Sequence, residues 1–225
     1  MAAAVADSPL AGGVVVIDMP NSGQAAVAVA RPGLARSDPR FFPALAGNAI
    51  LGGGYSARLN QEIRIRRGLS YGSSSSLDAR RTPGPFIAVT QTRNDAADQV
   101  LTLTLGEMRR LGTDAVSATE LAARRASLTG GFGRNIETTE GIADIVALNL
   151  ERGLAPDAID SYLPSVIAVS PAEVQAAAAQ LMPDAGSTII VVGEAAKFID
   201  RLRKTYPKLT LIPLGELNLD SDRLH

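Results

Sequence analysis

Residues 51–76 read LGGGYSARLNQEIRIRRGLSYGSSSS, and this stretch organises the rest of the chain. Three consecutive glycines, Gly52, Gly53 and Gly54, follow an apolar run and precede a short amphipathic pattern, so they read as the end of one helix and a tight entry into the next. Within the second helix Leu59 and Ile63 share one face, while Arg58 with Glu62 and Glu62 with Arg66 have the spacing of ion pairs on another. Gly68 stops that helix. The small polar run SYGSSSSL that follows then reads as a strand.

Working outward, residues 14–19 form a β-branched run and residues 24–30 alternate, with Pro20, Asn21, Ser22 and Gly23 between them, which predicts a hairpin. Asp38 before Pro39 offers an N-cap for a helix ending at the triple glycine. Residues 71–79 and 86–92 predict a second hairpin around Thr82, Pro83 and Gly84. Asn94 is the expected cap of the next helix, Ser117 with Glu120 has capping-box spacing, and Gly130, Gly131 and Gly133 are expected to loosen that helix's far end. Thr138 opens another helix that stops near Gly153. Ser170, Pro171 and Glu173 head an alanine-rich helix ended by Pro183. Residues 187–192, 195–204 and 209–212 read as strand, helix and strand. Strands that pair early, long helices after them and a late returning strand predict an α+β fold. Its expected form is a two-layer α/β sandwich: a mixed, mostly antiparallel sheet with helices packed on one face. The expected organisation is a flexible lead-in over residues 1–12, a single domain over 13–215 and a tail over 216–225.

Composition narrows the function. With 46% hydrophobic and 20% charged residues the 225-residue chain has a globular composition, and with 4% aromatics its core must be built from Ala, Val, Leu and Ile. Twenty-two basic against 23 acidic residues leave a formal charge of −1, which supplies no net pull toward nucleic acid or an anionic membrane. No cysteine is present, a pattern equally suited to cytoplasm and periplasm, so the compartment stays open. The opening residues lack the basic region and apolar core of a secretory signal, and they also suit a chain that begins mid-protein. No apolar run reaches the length of a membrane span.

A hydrolytic zinc site draws three ligands from His, Cys and carboxylates, whereas the one histidine here is His225, the final residue, and no D-x-[DN]-x-[DN]-G loop occurs. No metal or other cofactor is therefore expected in this chain. Ser70 and residues 73–76 have no histidine base, and neither a G-x-S-x-G elbow nor an S-x-x-K element is present, so they read as solvated strand serines. A weaker option is a sheet edge that accepts an extended peptide. The glycine cluster follows a helix and fits neither phosphate-binding pattern, and Arg64, Arg66 and Arg67 lack interleaved aromatics. Those arginines read as a solvated helix face.

The run LGGGYSARLNQEIR-x-x-RGLSYG resembles a segment of the pitrilysin-type, M16-like zinc metallopeptidases of the inverzincin class, in the half of the molecule that does not hold the metal. The likeness is dense over residues 51–72 and weaker but consistent from the first expected hairpin to the last expected strand. It implies the α+β architecture reached above, in domains that face one another across a cavity. It also implies a partner subunit or domain that carries H-x-x-E-H and the zinc, a peptide substrate, and two site residues here, Arg64 and Tyr71. By that resemblance both act as hydrogen-bond donors, the phenol toward the oxyanion that develops when water attacks and the guanidinium toward flanking carbonyls or the phenol itself. Without the family pattern they read as a surface arginine and a half-buried strand tyrosine. Two further readings stay open: a non-catalytic scaffold subunit, as the core subunits of the respiratory bc1 complex resemble, and a free-standing peptide-binding module.

Overall fold

The computed structural model describes residues 9–225. Six strands form one sheet: β1 (Val14–Asp18), β2 (Ala25–Pro32), β3 (Ser70–Leu77), β4 (Pro85–Thr92), β5 (Thr188–Gly193) and β6 (Thr210–Pro213), in the order β3-β4-β2-β5-β1-β6. β3, β4, β2 and β5 are successively antiparallel, whereas β1 runs parallel to both β5 and β6. The sheet is thus mixed and mostly antiparallel, with helices on one face, as expected.

The first expected hairpin does not form. β1 and β2 lie on either side of β5, which pairs with both: Val16 is opposite Val191 and Val27 is opposite the same residue from the other side. β5, TIIVVG, is apolar at every position able to face a layer, so it gains most at the centre of the sheet. The separation of β1 from β2 is then two strand spacings, about 10 Å, and the six residues 19–24 reach on the order of 20 Å when extended. Asn94 locks the crossing. Its Nδ2 donates to Ser22 O at 2.8 Å while its Oδ1 accepts from Glu194 N at 2.9 Å. Because its amide is spent there, Asn94 does not cap a helix; a 3-10 turn at Asn94–Ala96 leads into α2 (Ala97–Thr113) instead.

The main core fills the space between one sheet face, with Val16, Val27, Val29, Phe86, Ile189 and Val191, and the apolar sides of α1 (Phe41–Leu51), α2 and α6 (Pro171–Leu181). A smaller cluster on the opposite face joins Val15, Ile17 and Ile212 to Leu10, Leu217 and Leu224. Residues of the expected lead-in and tail thus cover that end of the sheet; residues 1–8 of the lead-in lie outside the described residues. The Asp38 carboxylate accepts from Arg40 N at 2.8 Å, and it is the Asp38 backbone O, not the side chain, that accepts from Phe41 N at the start of α1. α3 (Ala118–Asn135) runs through its three glycines without loosening. Thr138 caps α4 (Thr139–Glu151), and the complete capping box at Ser170 and Glu173 opens α6. Between them α5 (Ala158–Ala168) carries Pro164 within it, and α7 (Ile199–Thr205) precedes β6.

Gly52 ends α1 hard against β3. A Cβ there would lie 2.3 Å from Ser75 N and 2.8 Å from Ser74 C, backbone atoms with no room to yield. Ser75 N donates to Gly52 O at 3.1 Å, so the same approach supplies a hydrogen bond to the sheet edge. Gly52→Ala is expected to lower stability by about 1–3 kcal/mol. Gly54→Ala, where an added Cβ meets nothing within 4 Å, should shift it by less than about 0.5 kcal/mol. Urea midpoints of the two variants check this.

Candidate functional site

The expected short helix after the glycines contains a π-helix, Asn60–Ile65, in which Arg66 N reaches back five residues to Gln61 O at 3.0 Å. The wide turn changes which side chains meet. Leu59 and Ile63 are fully buried as predicted, and Glu62 holds Arg66 at 3.0 Å, but it also holds Arg67, five residues on, at 2.7 Å. In a 3.6-residue α-turn that residue lies well off the face of Glu62. The predicted Arg58–Glu62 pair is absent, because Arg58 reaches across to α3 and forms a two-point bond with Glu120, at 2.9 and 2.7 Å. That use of Glu120 leaves the expected capping box half made: Ser117 Oγ accepts from Glu120 N, and the carboxylate goes to Arg58.

Gly68, with φ of 63°, turns the chain from the helix into β3. There the register slips: Ser70 is opposite Thr92 and Ser73 opposite Thr90, so β3 carries one extra residue at Tyr71 and Gly72. Such a bulge re-aims the side chain it carries. Tyr71 is 89% exposed, against the half-buried position that a regular strand suggested. Arg64, in the last turn of the π-helix, lies with its guanidinium carbon 5.3 Å from the Tyr71 ring centre and 4.9 Å from that of Tyr55. The arginine therefore lies at cation–π distance from two phenol rings. No ion pair among the described residues neutralises it. The structure thus brings Arg64 and Tyr71 to one side of the molecule.

Arg64 and Tyr55 border an open cleft of about 480 Å³ that is lined also by Gly52, Gly53 and Gly54 and by Gly72, Ser73, Ser74 and Ser75; Tyr71 directly precedes Gly72 in the chain. Tyr55 and Asn60 complete the site and were not singled out from the sequence. Asn60 is 3% exposed; its Nδ2 donates to Tyr55 O at 2.6 Å and its Oδ1 accepts from Ser73 N at 3.4 Å. One buried amide thereby ties the loop of one tyrosine to the strand of the other. A polar residue between Leu59 and Ile63 on a buried helix face is the signal that marks it. Ser75 adds a bond from Oγ to Asn48 Oδ1 at 2.8 Å. With Ser73 N and Ser75 N engaged by the chain itself, this part of the β3 edge has no free donors for an added strand, which removes the peptide-augmentation option at those positions.

The donor set does not suit zinc. Among the described residues no three His, Cys, Asp or Glu side chains converge, and His225 lies in the terminal turn with Nδ1 2.9 Å from Arg223 O. No helix among them is long and apolar enough to cross a membrane.

A family profile described as Peptidase M16 inactive domain matches residues 3–128, more than half of the chain, and the protein belongs to that family. It is 28% identical over 159 residues to an uncharacterised zinc protease of Streptomyces coelicolor, a match covering 71% of this chain and 35% of that one. It is 30% identical over 90 residues to an uncharacterised zinc protease of Mycobacterium tuberculosis, covering 40% and 20%. A peptidase M16 inactive domain from Pseudomonas fluorescens superposes with a TM-score of 0.73 at 26% identity, over 80% of this chain and 43% of that one. A chain of Complex III2 from Candida albicans superposes at 0.69 with 13% identity, over 88% and 50%, a likeness of fold alone. The chain therefore spans half or less of the length of each of these proteins.

The charge cluster beneath the π-helix has opposing pH signatures. Glu120, hydrogen-bonded by Arg58, is held below its ordinary 4.5, so it adds stability above that pH and loses it as pH falls through the depressed native value. Glu107 is pushed up by burial, against the pull of Arg110 and Arg58, so its ionisation subtracts stability as pH rises through its raised native value. Glu120→Gln is expected to cost about 1–2 kcal/mol near neutral pH, between the worth of an exposed pair and a fully buried one. The variant should also lose less stability than the parent on acidification below 4.5. Denaturant midpoints across pH measure both.

Proposed function

We propose that this chain is the substrate-binding, non-metal portion of an M16 zinc peptidase, and that it presents Arg64 and Tyr71 to a peptide cut at a site held elsewhere in the assembly. The observation that carries the reading is the Arg64 guanidinium at cation–π distance from two exposed phenols, beside an open cleft that Arg64 and Tyr55 line. An unpaired cation beside two phenol rings attracts carbonyl oxygens and offers several N–H donors in a fixed plane. In the proposed role Tyr71 donates its phenol proton as a hydrogen bond to the scissile carbonyl oxygen, where negative charge develops. Arg64 donates to a neighbouring carbonyl and, through its charge, holds both rings in place. Tyr55 supplies the second wall. Zinc and the general base belong to a partner subunit or domain bearing H-x-x-E-H, in keeping with relatives named zinc proteases and with a donor set here that does not suit the metal. On this reading the chain by itself hydrolyses nothing.

A scaffold role is the competing reading, favoured by the fold-level likeness to a chain of Complex III2. Comparing Tyr71→Phe with the parent in the reconstituted assembly separates the two. Loss of a transition-state donor should lower kcat by roughly 10- to 100-fold with KM little changed, toward the lower end of the range for oxyanion donors. Equal turnover would favour the scaffold, and peptide hydrolysis by the purified chain with one bound zinc would overturn the proposal outright.

A further inference from the structure

At the opposite end of α1 from the tyrosine cleft lies a second, half-open cavity of about 430 Å³, lined from α1, α3, α4 and α5 and by Leu77 and Ala79. Its wall is largely apolar: Phe41, Leu45, Leu128, Phe132, Ile145 and Leu148 contribute, and Tyr162 stacks on Phe132 at 4.3 Å. Into this wall the chain places two arginines. Arg36 is 8% exposed and packs its guanidinium 3.9 Å from the Phe41 ring centre and 5.0 Å from that of Phe42. Arg152, at the C-terminal end of α4, faces the same space.

None of the lining residues is acidic, and no ion pair among the described residues engages either arginine. Asp78, beside the lining residues Leu77 and Ala79 in the chain, is bound by Arg80, and Glu151, beside Arg152, acts on Arg80. Burial is the main cause holding Arg36 below its ordinary value, and repulsion by Arg152 adds to it. Like charges brought together without a counter-ion, one of them buried and the other half-buried, are costly, and the neighbouring aromatic rings offset part of that cost. Asn149, 7% exposed, and the Tyr162 phenol stand beside the pair as further polar groups.

The geometry points to a binding site for a monocarboxylate with an apolar body, its carboxylate bridging Arg36 and Arg152 and its aryl or short acyl group lying against Phe132, Leu128 and Leu148. The volume suits a ligand of that size rather than a folded partner. Two planar guanidinium groups match a carboxylate better than any single neutral donor does. This site is independent of the peptidase reading and stands or falls without it.

The test is calorimetric titration of the purified chain with octanoate and with 3-phenylpropionate, alongside the uncharged 3-phenylpropanamide. Saturable binding of either acid is expected, stronger than the amide by roughly tenfold or more and weakened by added salt. Preference between the two acids tells an acyl from an aryl occupant. Arg152→Gln, at a half-buried helix end, should retain the thermal midpoint and weaken the acid by roughly tenfold; Arg36→Gln should abolish it. Amide chemical shifts of Ser127, Gly131 and Asn135 should move on binding. No saturable binding, equal affinity for the amide, an unaltered Arg152→Gln, or shifts confined to the tyrosine cleft would each overturn the assignment.

Discussion

β5 is the strand on which the architecture depends. It pairs along its length with β1 on one side and β2 on the other, and its alternate residues feed both faces: Ile189 and Val191 enter the main core, Ile190 and Val192 the smaller cluster. A strand that is apolar on both faces is stable only where both are covered. Its arrival from the far end of the chain therefore splits what would otherwise be a local hairpin, and Asn94 fastens the three segments that meet there. The remainder of the sheet inherits its order from that insertion, and β3 is left at one edge.

Having β3 at the edge is what makes the tyrosine cleft possible. An edge strand has one row of backbone donors unpaired, and here the chain covers part of that row with its own loop, through Gly52 O and the amide of Asn60. The same contacts fix the loop carrying Tyr55, while the bulge at Tyr71 and Gly72 turns the second phenol outward. Arg64 completes the arrangement from a π-helix, a form that appears often where side chains must be redirected. Gly52 is the residue without which the approach fails, since a single Cβ would occupy the space of the Ser75 amide.

The two ends of α1 thus have different chemistry. Its C-terminus opens on exposed phenols and backbone amides, its N-terminus on a half-enclosed aromatic cavity with unpaired guanidinium groups. Between them the charges are mostly internal to the protein: Arg58 with Glu120, Arg66 and Arg67 with Glu62, Arg110 with Glu107. Arg36, Arg64 and Arg152 have no ion pair among the described residues, and each lines one of these two cavities.

Much was legible in the residues themselves. The capping box at Ser170 and Glu173, the glycine stop at Gly68, the burial of Leu59 and Ile63 and the β3–β4 hairpin are local properties, set by backbone conformation and spacing over a few positions. The α+β class follows from the order of such elements, and the pairing of Arg64 with Tyr71 was suggested by family resemblance. α5 was not visible, because Pro164 masks its helical pattern. Asn94 as a three-way clamp, Arg58 reaching to Glu120, Tyr55 as the second wall and the placement of β5 between β1 and β2 all join segments far apart in the chain. Sequence alone determined most of the segments that become helix or strand, α5 apart, because capping, turns and periodicity act within a few residues. Only the tertiary structure decided which strands pair and which side chains converge, because buried apolar area and charge neutralisation are shared among distant residues and have value only once those residues meet.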